Sequence, residues 1–178
     1  MSGHSKWKQI KYKKAIEDAK RGKIFSKIAR IITLSAKEFG QDPKNNPKLA
    51  TLIEEARSVN MPNDNINRAI KKAVEKDSEN MKEVLYEAYG PGGSALIITA
   101  ITDNSNRTTN EVKHILSENG GKLGEQGSAM WAFDKQRMDF VAKFPLNISG
   151  EENKRLNDIL EALDDQDDIQ EVYSNITS

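Results

Sequence analysis

The sequence predicts an α+β fold, an N-terminal helical domain followed by a ferredoxin-like antiparallel sheet domain with helices on one face. Three observations predict it. Apolar residues recur at helical spacing up to about residue 77. From Val84 onward, alternating and continuous apolar runs replace that period. These runs then read strand, strand, helix, strands, helix, strand. The expected domains are 1–77 and 81–178, joined by the polar, aperiodic stretch Asp77–Asn80. At 178 residues and 37% hydrophobic content the chain can build two modest cores.

Residues 1–5 are small and polar, with Ser5 able to cap a helix. That helix is expected from Lys6 to Lys20, with Trp7, Ile10, Ala15 and Ile16 turned inward, and Gly22 interrupts the pattern. A second helix runs to Phe39 on Ile24, Phe25, Ile28, Ile31, Ile32 and Leu34, and Gly40 with the loop Gln41–Asn46 ends it. Pro47 suits the first position of a third helix through Leu49, Leu52, Ile53 and Ala56. After the break at Asn60–Asp64, Ile66, Ala69, Ile70 and Ala73 mark a fourth.

Val84–Tyr89 alternates as a strand does, Gly90–Gly93 is a turn, and Ala95–Ile101 is a short apolar strand. Thr102–Asn106 leads into a helix from about Arg107 to Glu118, stopped by Gly120-Gly121. Met130–Phe133 and Asp139–Phe144 are expected strands, Glu151–Leu163 a helix, and Ile169–Tyr173 the last strand.

The formal net charge of +0 conceals a segregation along the chain. Between Gly3 and Arg30 the cations Lys6, Lys8, Lys11, Lys13, Lys14, Lys20, Arg21, Lys23, Lys27 and Arg30 face only Glu17 and Asp18. Glu151, Glu152, Asp158, Glu161, Asp164, Asp165, Asp167, Asp168 and Glu171 form an acidic counterpart, opposed only by Lys154 and Arg155. An ordinary solvated helix mixes both signs, so the basic head points to a polyanion, with the lysines and arginines neutralising phosphates. Trp7 lies inside the charge and could stack on a base, although a tryptophan near a helix start is as often core. Arg68, Lys71 and Lys72 repeat the basic theme on the fourth helix, where Arg68 and Lys72 share a face. Ordinary exposed helix charges explain them equally well. Asp103, Asn104, Asn106 and Arg107 cluster at a helix start, where capping competes with anion binding; Arg107 is the expected phosphate contact there.

Several classes are excluded or unsupported. Without cysteine there is no disulfide, thiolate nucleophile or cysteine zinc site. His4 and His114 have no metal-ligand spacing. Gly90-Pro91-Gly92-Gly93 lacks the spacing of a phosphate-binding loop, and the acidic stretch lacks the glycine and distal glutamate of a calcium loop. No catalytic constellation, cofactor, metal or small-molecule substrate is expected. No run approaches membrane-spanning length and no signal segment precedes the head, so a bacterial cytoplasmic protein is expected.

GHSKW at 3–7, DAKRGKIFSK at 18–27, NMPNDNINRAIKK at 60–72, YEAYGPGG at 86–93, TDNSNRT at 102–108, GGKLGEQGS at 120–128 and LDDQDDIQEVYSN at 163–175 stand in order along nearly the whole chain. Together they resemble the YebC family of probable DNA-binding transcriptional regulators, which includes a mitochondrial translational activator. The resemblance implies a helical domain and two α/β domains, the third inserted in the second. Here only a short bridge near residues 134–138 stands where that insertion is expected, and Ala88 occupies a usual glycine. The expectation is a non-enzymatic nucleic-acid-binding regulator of gene expression. One alternative is a ribosome-associated translation factor that binds ribosomal or transfer RNA and relieves stalled peptide-bond formation. Another is a protein–protein adaptor. No helix shows the Asn/Gln/Arg cluster of a major-groove reading helix, so DNA and RNA both remain open as targets.

Overall fold

The computed structural model describes residues 18–177. Among these, the chain divides into two compact units, one of 18–83 with 101–104 and one of 84–100 with 105–177.

The first unit is helical. Helix α1 (Asp18–Phe39) packs on α2 (Pro47–Ser58) and α3 (Asn63–Lys72). The sequence set a break at Gly22, but α1 runs through it without interruption. A single glycine in a helix interior costs only about 1 kcal/mol relative to alanine, which the stripe Ile24, Ile28 and Ile32 beyond it outweighs by burial. The expected helix over Lys6–Lys20 lies almost wholly outside the described residues. Gly40, at φ +98°, ends α1 as its N–H bonds to the Ala36 carbonyl at 3.0 Å. The buried side chain of Asn46 then holds the loop. It donates to the Ser35 and Gly40 carbonyls and caps α2 by accepting from the Leu49 N–H at 3.0 Å. Pro47 is the first residue of α2, where its missing N–H costs nothing. Thr33 Oγ1 donates to the Ala69 carbonyl at 2.8 Å, tying α1 to α3.

The second unit is an α+β layer, as the sequence predicts. Its four-stranded sheet has the order β3–β1–β2–β6, where β1 is Lys82–Tyr89, β2 Ala95–Thr102, β3 Lys122–Leu123 and β6 Ile169–Ser174. β3 is antiparallel to β1, and β6 is antiparallel to β2. Helices α4 (Ser105–Glu118) and α5 (Gly150–Asp165) both pack on one face. Their Val112, Leu116, Leu156, Ile159 and Leu163 meet Ala88, Leu96, Ile98, Ala100, Ile169 and Val172 of the sheet.

The expected strands near 130–144 do not join that sheet. Met130–Ala132 is a 3-10 turn, and β4 (Phe133–Gln136) and β5 (Asp139–Ala142) form a separate antiparallel hairpin. Its Phe133 and Phe140 join Ala129 and Ala132 over Ala95, Ile97 and Tyr173, so β2 is covered on both faces. Double burial is why residues 95–101 read as a continuous apolar run rather than an alternating one. Gly90–Gly93 is the turn between β1 and β2, with Gly92 at φ +69°; a side chain there would come within 2.5 Å of Ile148 Cγ2.

Candidate nucleic-acid interface

The helical unit carries most of the described candidate cations. Lys20 and Arg21 on the first turns of α1 are exposed, and Lys23 is half-buried. Lys27 is a correction to the expected interface. It is only 1% exposed. The helical period explains this, since residue 27 lies three positions after Ile24 and four before Ile31, inside the stripe that faces the core. Lys6, Trp7, Lys8, Lys11, Lys13 and Lys14 lie outside the described residues.

Arg30 is half-buried and donates from Nη1 to the Ile101 carbonyl at 3.1 Å, a contact within the helical unit. Met81, Ile101 and Leu34 close a small apolar cluster beside it. Arg30 and Lys72 line one cavity of about 310 Å³ with Asp77, Met81 and Asp103. Two expected cations therefore share a concave surface, but two carboxylates share it with them and temper its charge.

α3 is the more open cationic face. Ile66 and Ala69 turn inward, while Arg68, Lys71 and Lys72 are exposed. Asn63 and Asn67 are exposed as well, and with Lys71 they follow an i, i+4 line beside that of Arg68 and Lys72. Amides next to cations suit phosphates and base edges alike. Sequence reasoning singles out only the cations of this helix, and the Asn63–Asn67 spacing is the signal it passes over.

In the other unit Arg107 has a structural task. Its Nη2 pairs with Asp168 Oδ2 at 3.0 Å, and the Thr108 hydroxyl donates to the same oxygen at 2.7 Å. The Asp168 side chain is 3% exposed and that of Arg107 43%, so the arginine chiefly balances a buried carboxylate. The acidic stretch itself is a helix end and turn, α5 stopping at Asp165 and Gln166 accepting from the Asp168 and Ile169 N–H groups. Among the described residues, no group of three or more acids or histidines is placed to hold a metal ion, and no helix is long and apolar enough to cross a membrane.

Comparison with known proteins bears on this arrangement. The TACO1/YebC protein N-terminal domain matches residues 5–76, and the TACO1/YebC second and third domain matches 81–143. A relative from Lactobacillus delbrueckii subsp. bulgaricus is 44% identical over 182 residues, covering 100% of this chain and 74% of its own. The chain belongs to the TACO1/YebC family. A second relative, from Petrotoga mobilis, is 49% identical over 144 residues, covering 80% of this chain and 57% of its own. A third, from Fervidobacterium nodosum, is 53% identical over 137 residues, or 76% and 54%. All three are named "Probable transcriptional regulatory protein". The chain thus spans little more than half the length of the latter two. The crystal structure of a conserved hypothetical protein from Aquifex aeolicus superposes with a TM-score of 0.87 at 32% identity, covering 97% of each chain.

Two motifs through which the chain resembles the YebC family prove to be one contact. Glu87, in YEAYGPGG, is buried and accepts from three backbone N–H groups of the loop that begins with GEQGS. These are the N–H of Gly127, of Ala129 at 3.0 Å and of Met130 at 2.6 Å. Tyr89 donates to the Ser128 carbonyl. No spacing rule links residues some forty positions apart, so the pairing is visible only in three dimensions.

Proposed function

We propose that this TACO1/YebC family member is a non-enzymatic regulator of gene expression that binds nucleic acid through its helical unit. The observation that carries the reading is the one-sided cation run from Lys6 to Arg30, which surfaces on α1 as exposed Lys20 and Arg21. Arg68, Lys71 and Lys72 of α3 extend the grip. Lys and Arg in this density neutralise phosphates and fix position, and the amides of α3 supply the polar contacts beside them. The names of the curated relatives favour transcription as the setting, and duplex DNA is the template of that process. Arg107 and Lys27 are left out of the interface, one paired to Asp168 and the other buried.

The test is binding to duplex DNA measured beside co-sedimentation with ribosomes at moderate salt, before and after nuclease. Duplex binding that weakens as salt rises is the expected result. Ribosome association that nuclease abolishes, without duplex binding, would move the function to translation. Binding to neither would leave a protein adaptor.

A further inference from the structure

The hairpin unit exposes two aromatic rings that its core does not need. Trp131 is 54% exposed and Phe144 52%, although Ala132 and Phe133 beside Trp131 are buried. The rings are neighbours, with centroids 5.7 Å apart and planes tilted by 41°. The Trp131 indole is also held in place. Its Nε1–H reaches both the Tyr89 hydroxyl at 2.9 Å and the Ser128 carbonyl at 2.8 Å. Glu87 in turn fixes the backbone N–H groups of residues 127, 129 and 130 that lead into Trp131. An indole pinned by its polar edge while its rings face solvent is pre-organised for a flat partner.

Charge says which partner. Lys143 Nζ stands 5.9 Å from the Phe144 ring centroid and 3.8 Å from Asp134 Oδ1. Lys135 and Arg137 are exposed on the same hairpin. A protein partner would ask for a broader greasy patch, whereas two rings beside cations match an unpaired base and its phosphate. We propose that Trp131 and Phe144 form a stacking platform for one or two unpaired bases of a single-stranded nucleic acid, with Lys143 at the adjoining phosphate. The platform rests on the proposed nucleic-acid function but is separate from the cationic helices. It adds a preference for unpaired strands that those helices do not supply.

The experiment uses the full chain carrying Trp7→Phe, which leaves Trp131 as its one tryptophan. Oligouridylate and oligothymidylate of about ten nucleotides, an abasic oligomer of equal length and a duplex of equal length are titrated against its fluorescence. The unpaired strands should quench Trp131 and the abasic strand should not, with uridylate and thymidylate compared to separate RNA from DNA. Read by the anisotropy of end-labelled oligomers, which needs no tryptophan, the pair Trp131→Ala and Phe144→Ala should weaken unpaired strands by about tenfold or more, the loss expected from one stacked base, and leave duplex affinity unchanged. Trp131→Phe, which keeps a ring, should recover part of that loss, a rescue that misfolding would not give.

Equal quenching by the abasic strand, or equal affinity in the double variant, would overturn the platform. So would a fall in sedimenting mass in the double variant with its affinity intact, because a second copy would then be what covers the rings. Duplex binding with Trp131 silent toward every unpaired strand removes the platform alone. Failure of every nucleic-acid probe removes the proposed function with it.

Discussion

Glu87 shows what a single side chain can hold together. A buried carboxylate survives only if its oxygens find donors, and the three N–H groups at Gly127, Ala129 and Met130 supply them. Replacing it with alanine would leave those N–H groups facing a void. Glu87→Ala should therefore cost about 3 kcal/mol or more, because each buried donor left unpaired costs roughly 1–3 kcal/mol. Urea unfolding followed through Trp131, which lies on the loop that Glu87 fixes, measures the loss. Glu83→Ala on the exposed start of β1 is the control and should stay within about 0.5 kcal/mol. At this scale the sequence is least legible. An acid inside an alternating strand reads as solvent-facing, the Arg107 and Thr108 that meet the Asp168 carboxylate lie some sixty positions away, and Lys27 betrays its burial only through the period of its neighbours. Trp131 and Phe144 fall within expected strands, where the sequence alone does not tell an exposed ring from a buried one.

At the scale of elements the sequence is far more legible, because caps and periods are local. Pro47 opens α2 and Gly40 closes α1 where their chemistry requires. β3, at two residues, is too short to carry a period, and the β4–β5 hairpin forms a sheet of its own because tertiary burial, not strand propensity, decides what pairs with what. The start of α5 adds a cap that titrates. Ser149 Oγ accepts from the Glu152 N–H at 3.3 Å, and Glu152 Oε2 accepts from the Ser149 N–H at 2.8 Å. The hydrogen bond from the Ser149 backbone, followed by that from its side chain, lowers the Glu152 pKa below its ordinary value of 4.5. A lowered carboxylate pKa adds stability that is present above the ordinary value and lost as pH falls through the lowered one. Thermal melts should therefore show the gap between the native chain and Glu152→Gln narrow as pH falls below about 4.5. A gap that stays constant, or widens with acid, would mean that the carboxylate charge does not stabilise this helix end.

For the whole molecule, a net charge of zero is the sum of two opposed ends, and function should follow the ends rather than the sum. Salt dependence separates the two. Each phosphate neutralised by a Lys or Arg releases counterions and contributes about 0.9 to the slope of log affinity against log salt on duplex DNA. Lys11, Lys13 and Lys14 are close together in the basic head, so changing all three to Glu should lower that slope by about 3 and weaken binding most at low salt. Lys154→Glu with Arg155→Glu is the control, since it also shifts net charge toward the acidic side but within the acidic stretch. If the head is the dock, the control keeps the native slope, apart from a small uniform offset from long-range repulsion. Slopes that fall alike, in proportion to the charge changed, would make the effect one of overall charge. The nucleic-acid reading would then lose the local contact it depends on.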